Sequence, residues 1–221
     1  WHDKIIGYAS SKDLIHWSTQ KAIPVMEHEP EAKNAWAPEV FYNDQSKNYL
    51  IFWATTIPGR HTDIAESEKE KGLNHRIYYT ETADFNTFSK TKMLFNPDFS
   101  VIDATILKDG SSYIMFIKNE NPNPPEKNIR MTKSSDPVNF PTNVSAPITG
   151  NYWAEGPTAI RIGTYVYVYF DKYRDHQYGA VRSKDLINWE DVSDKVSFPK
   201  GMRHGTVFKV SDRIFNKLLH K

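Results

Sequence analysis

The sequence has 221 residues, 28 Lys and Arg against 27 Asp and Glu, a net charge of +1 and no cysteine. That balance gives no field to draw in nucleic acid or an anionic membrane. The lack of Cys removes disulfides, thiol catalysis and thiolate metal sites together, and no run of about 18 apolar residues offers a membrane span. Hydrophobic residues at 39% suit a domain with a real core. Aromatics at 14% fit either strand packing or the stacking of sugar rings.

In chain order, a short β pattern, Ile5-Ile6-Gly7-Tyr8-Ala9, runs into Ser11-Lys12-Asp13-Leu14-Ile15-His16-Trp17. A hydrophobic strand is predicted at Tyr49–Trp53 and another at Arg76–Thr80, with the long charged segment Pro58 to Arg76 inserted between them. The second strand ends in Thr82-Ala83-Asp84, followed by Phe88. Strands at Tyr113–Ile117 and Asn128–Thr132 flank the Pro-rich stretch Asn121 to Lys127 and lead to Ser134-Ser135-Asp136 and Phe140. The last pair, Tyr165–Phe170 and Tyr178–Arg182, leads to Ser183-Lys184-Asp185-Leu186-Ile187-Asn188-Trp189. Asp212 to Leu219 is the one helical candidate.

Four segments therefore share one ending: Ser or Thr, one residue, Asp, three residues, then Trp or Phe. They recur at roughly 50-residue intervals, a period that belongs to propeller blades. Ser-x-Asp caps a turn by accepting its own backbone amides, so Asp13, Asp84, Asp136 and Asp185 read as turn formers, and Trp17 and Trp189 as packing residues. The expected fold is all-β, a five-bladed β-propeller in which residues 1–221 form a single domain. It comprises a fragment of one blade (1–18), three whole blades (36–89, 101–140, 153–190) and a first strand of another at Arg203–Phe208. Trp1 is not an initiator Met, and the expectation is that closing strands lie upstream of it, because an open blade edge leaves strand groups unpaired.

The innermost strand of each propeller blade lines the central channel. The starts of those strands read Trp36-Ala37-Pro38-Glu39, Val101-Ile102-Asp103-Ala104-Thr105-Ile106, Tyr152-Trp153-Ala154-Glu155-Gly156-Pro157-Thr158 and Met202-Arg203-His204-Gly205-Thr206. Acids, an Arg and a His are thus expected around one mouth. Carboxylates in an aromatic-lined cleft have separated proton affinities, which suits glycoside hydrolysis.

These strands, in this order and with the Ser-Lys-Asp-Leu-x-x-Trp turn, resemble glycoside hydrolase family 43 over nearly the whole chain. The resemblance implies that Glu155 is the general acid and that Asp103 orients it and tunes its pKa. It also implies an inverting reaction whose general base is an Asp on the first strand of the first blade, a strand not present in this chain. Asp3 directly precedes the pattern of a third strand and is a poor stand-in. Trp36, Glu39, Trp53, Trp153 and Arg203 are the candidate substrate contacts. His204 is the candidate for an axial structural Ca²⁺ site, no cofactor being required. The implied substrate is an arabinose- or xylose-containing oligosaccharide or polysaccharide, and the implied location secreted or periplasmic. The segments 58–76 and 121–127 read equally as rims of the cleft or as solvated loops with no role. The alternatives are a carbohydrate-binding propeller without catalysis, an inactive fragment that lacks the general-base strand, and a structural propeller used for protein contacts.

Overall fold

The computed structural model describes residues 3–61, 73–121 and 124–220. They form four separate antiparallel sheets in chain order, each built from consecutive strands. The first pairs β1 (Ile6–Tyr8) with β2 (Lys21–Ile23). The second runs β3 (Trp36–Asn43), β4 (Asn48–Thr56), β5 (His75–Thr82) and β6 (Lys92–Phe95). The third is β7 (Val101–Asp109), β8 (Ser112–Asn119) and β9 (Ile129–Ser134). The fourth is β10 (Glu155–Ile162), β11 (Tyr165–Lys172), β12 (Gln177–Ser183) and β13 (Glu190–Asp191). One α-helix, α1 (Asp212–Leu219), follows, capped by the Ser211 side chain. The inserted segment falls largely on 62–72, outside the described residues, as do Trp1 and positions 122 and 123 of the Pro-rich stretch.

The cores lie between successive sheets. Ile6, Ile23 and Met26 pack on Ile51, Trp53 and Tyr78. Leu50, Phe52, Ile77 and Phe95 pack on Val101, Tyr113 and Met115. Ile114, Phe116 and Ile129 pack on Val166, Val168 and Phe170. A middle strand between two such cores is apolar on both faces, and β4 and β8 are buried almost end to end. In β11 the pattern alternates, with Val166, Val168 and Phe170 inward and Tyr165, Tyr167 and Tyr169 half-exposed on the other face. Those three rings run along the strand at 6.1 Å spacings, with the Arg182 guanidinium 4.4 Å from the Tyr165 centroid.

The repeated turn is built as its residues dictate. In the fourth sheet the Asp185 and Leu186 amides donate to Ser183 Oγ (3.3 and 2.9 Å), and the Ile187 and Asn188 amides donate to Asp185 Oδ1 (2.9 and 2.8 Å). The first and second turns repeat this set with Ser11–Asp13 and Thr82–Asp84. In the third, Pro137 stands where the others place Leu or Phe at positive φ, and has no amide to give. There Ser134 Oγ accepts only the Asp136 amide, at 3.0 Å, and donates to the Asn139 carbonyl.

Two expectations are corrected. Trp189 packs edge-on against Phe116 at 6.0 Å, but Trp17, at the same position of the first turn, is 57% exposed. Both repeat the motif; only the fourth turn has a neighbouring sheet to receive the indole. Arg203–Phe208 forms no strand. Its β-prone Thr-Val-Phe run is held by side chains instead of a ladder: the Val207 amide donates to Thr158 Oγ1 (3.0 Å) and the Gly205 amide to the Tyr178 hydroxyl (3.3 Å). β propensity needs a paired edge to become a strand.

Candidate active site

The long inner strands β3, β7 and β10 each break register once near their start, between Trp36 and Glu39, Ile102 and Thr105, and Glu155 and Thr158. Each break carries one residue at positive φ: Ala37 (48°), Asp103 (54°) and Gly156 (57°). A left-handed residue in an extended strand re-aims the side chains on either side of it, which is the use of a bulge beside a site. Because β7 packs against both β3 and β10, the three bulges lie on adjacent strands. At Gly156 a Cβ would stand 2.9 Å from the His204 ring, so only glycine admits both the turn and the imidazole.

Glu155, at the first position of β10, projects between two cations. Lys118 Nζ donates to its Oε2 at 2.9 Å, and the Arg203 guanidinium lies 3.5 Å from its Oε1. Arg203 also pairs with the buried Asp171. Asp103, 7% exposed, accepts the Gly156 amide at 2.9 Å, which ties the second acid to the peptide that carries the first. Glu39 accepts the Thr206 hydroxyl at 2.8 Å. The predicted acids, Arg203 and His204 therefore meet, and the peptide of residues 203–206 joins them although it is not a strand.

Burial pushes the Asp103 carboxyl above the usual aspartate range, against the opposing charges of Lys118 and His204. Burial raises Glu39 likewise, against the Thr206 hydrogen bond and the nearby His204. Burial alone would lower Lys118, but the carboxylates of Glu120, Asp103 and Glu155 more than reverse it. Burial would raise Glu120, yet Lys118 and Lys127 hold it low. The cluster thus holds two acids that resist ionisation, Asp103 and Glu39, and one ammonium that resists deprotonation.

The candidate aromatic platforms separate. Trp36 is half-buried and tilted against His75, with ring centroids 4.8 Å apart. Trp153 is half-buried beneath the Arg174 guanidinium, 4.3 Å from its centroid, in a shallow groove with Glu126 and Tyr152. Trp53 is corrected: at 1% exposure it belongs to the core between the first two sheets, and a ring with no open face offers no platform to a sugar. Asp3 lines a groove of about 330 Å³ with Ile5, Ala35 and Trp36, apart from the Glu155 cluster. Among the described residues no group of three or more His, Asp or Glu is arranged to hold a metal. The His204 ring lies against Gly156, on the same side as Asp103 and Glu39.

Sequence reasoning missed Lys118, Glu120, Lys127 and Asp171. A signal was present. Opposite the residue that opens each bulge, the paired strands place Ala54, Lys118 and Asp171 in turn. Lys118 and Asp171 each follow directly on an apolar strand run, where a charge pointing inward needs a partner.

Acids on bulged inner strands thus gather beside an Arg and a His in an all-β protein. A family described as a probable glycosyl hydrolase domain, related to glycoside hydrolase family 43, matches residues 3–214. The chain belongs to glycoside hydrolase family 43. It is similar to the α-L-arabinofuranosidase of Bifidobacterium longum subsp. longum, with 28% identity over 116 residues, 50% of this chain and 11% of that protein. The chain thus spans only a small part of that relative's length. A thermostable family-43 glycoside hydrolase shares the fold with a TM-score of 0.62 at 15% identity, over 87% of this chain and 66% of that one. The α-L-arabinofuranosidase of Lactobacillus brevis does so at 0.58 and 13% identity, over 87% and 72%.

Proposed function

We propose that the protein is an inverting glycoside hydrolase acting on arabinose- or xylose-containing glycans. In this reading Glu155 is the general acid, and the sheets described belong to a five-bladed propeller in a secreted or periplasmic protein. The observation that carries the proposal is the placement of Glu155, part-exposed, with Asp103 bonded to its following amide and cations beside both carboxyl oxygens. Burial raises the neighbouring Asp103 carboxyl. Glu155 gives its proton to the leaving oxygen, and a further carboxylate, outside this pair, takes one from the attacking water. Family membership supports the reaction class; the name of the Bifidobacterium relative supports an arabinofuranoside as the first substrate to try.

The test is hydrolysis of 4-nitrophenyl α-L-arabinofuranoside, β-D-xyloside and β-D-galactoside, with the first-formed anomer followed by proton NMR. Turnover of a pentoside with an inverted product is expected. A retained anomer would overturn inversion, and turnover of the galactoside alone would overturn the sugar assignment.

A further inference from the structure

Lys118 is a buried cation set among carboxylates. Its side chain is 2% exposed, yet it occupies the end of β8, the strand paired with the one that carries Asp103. Its ammonium reaches Glu155 Oε2 at 2.9 Å and Glu120 Oε2 at 3.0 Å, and lies 4.8 Å from the Tyr173 ring centroid. Behind it, Lys127 Nζ stands 3.1 Å from Glu120 Oε1. Charges therefore alternate along a line from Lys127 through Glu120, Lys118 and Glu155 to Arg203 and Asp171. Such a line is costly to bury and is held only when every member is paired. Of its carboxyls, Glu155 is the most exposed.

We propose, building on the assignment of Glu155 as acid, that Lys118 is its positioning residue: it fixes the carboxyl rotamer and stabilises the carboxylate left when the proton has gone. In the step concerned, the glycosidic C–O bond breaks with its electron pair on the leaving oxygen, and that oxygen takes the Glu155 proton. Water delivers its oxygen to the anomeric carbon and a proton to a second carboxylate. Negative charge appears on Glu155 as the bond breaks, and an ammonium already in hydrogen-bond contact stabilises that charge with no reorganisation. Lys118 has no open surface for sugar, so it acts on turnover and not on affinity. Glu120 and Lys127 keep the ammonium from swinging away.

The experiment compares the 2,4-dinitrophenyl glycoside, whose leaving group departs without a proton, with the methyl glycoside, which needs one. The sugar is α-L-arabinofuranose, or β-D-xylose where the panel above selects it. K118M should lower kcat on the methyl glycoside about 10²-fold, with KM within about twofold and the dinitrophenyl rate within about threefold. E155Q should show the same discrimination, only larger. Because both substrates are read on one preparation, a lower folded fraction cancels from the ratio. Equal losses on both substrates in K118M, or none, beside clear discrimination in E155Q, would overturn the role of Lys118 and leave Glu155 as acid. Absence of discrimination in E155Q would overturn the acid and this role with it.

Discussion

The third and fourth sheets share a backbone plan and differ in what they place on it. Both open with a bulged inner strand, return through a middle strand and end in a Ser-x-Asp turn. In the third sheet the bulge holds Asp103 and the residue across the ladder is Lys118; in the fourth the bulge holds Gly156, the acid Glu155 precedes it, and Asp171 lies across. Neither sheet makes the site alone. Lys118 of one grips Glu155 of the other, and Asp103 of one caps the Gly156 amide of the other. The repeat gathers this cluster by varying charge at equivalent positions of the two bulged strands.

Asp103 is the place to break this arrangement. D103N keeps an acceptor for the Gly156 amide but removes the charge, and turnover should fall about 10²-fold in steady-state assays. Its stability should move the other way. The raised value of Asp103 means that, above the ordinary aspartate range, the native state holds a proton which the unfolded chain releases. Native stability is therefore lost as pH climbs through that window. D103N should melt no lower than the wild type at pH 7, with the gap closing toward pH 4; melting curves across that range check it. A lower melting temperature for D103N at pH 7 would make Asp103 a structural acid.

The turns sharpen the comparison at a smaller scale. Ser183 accepts two amides and donates to Asp185, while Ser134, beside Pro137, accepts one amide. S183A should cost about 1 kcal/mol of stability and S134A about half of that, by denaturant titration, with kcat unchanged in both. Equal costs would show that the second amide adds nothing.

The turns were readable because their chemistry is local: Ser, Asp and the amides they accept lie within five residues. The middle strands were readable for a related reason, since Tyr113–Ile117 and Tyr165–Phe170 carry their burial in their own pattern. Glu155, Asp103 and Glu39 were legible as strand starts that converge, while Arg203 and His204 join them from a segment that forms no strand. What was hidden depends on a neighbour. Trp53 and Trp36 look alike in sequence, and only the packing of β4 between two cores buries the first. Trp17 and Trp189 share a motif, and only one meets a receiving sheet. Lys118 reads as the charged end of a strand until the ladder sets it opposite Ile102 and beside Glu155.

The most direct test of the central claim is E155Q, assayed for turnover of an arabino-oligosaccharide and, by calorimetry, for its binding. The account predicts turnover reduced about 10³-fold with affinity within about threefold of the wild type. Unchanged turnover would contradict it.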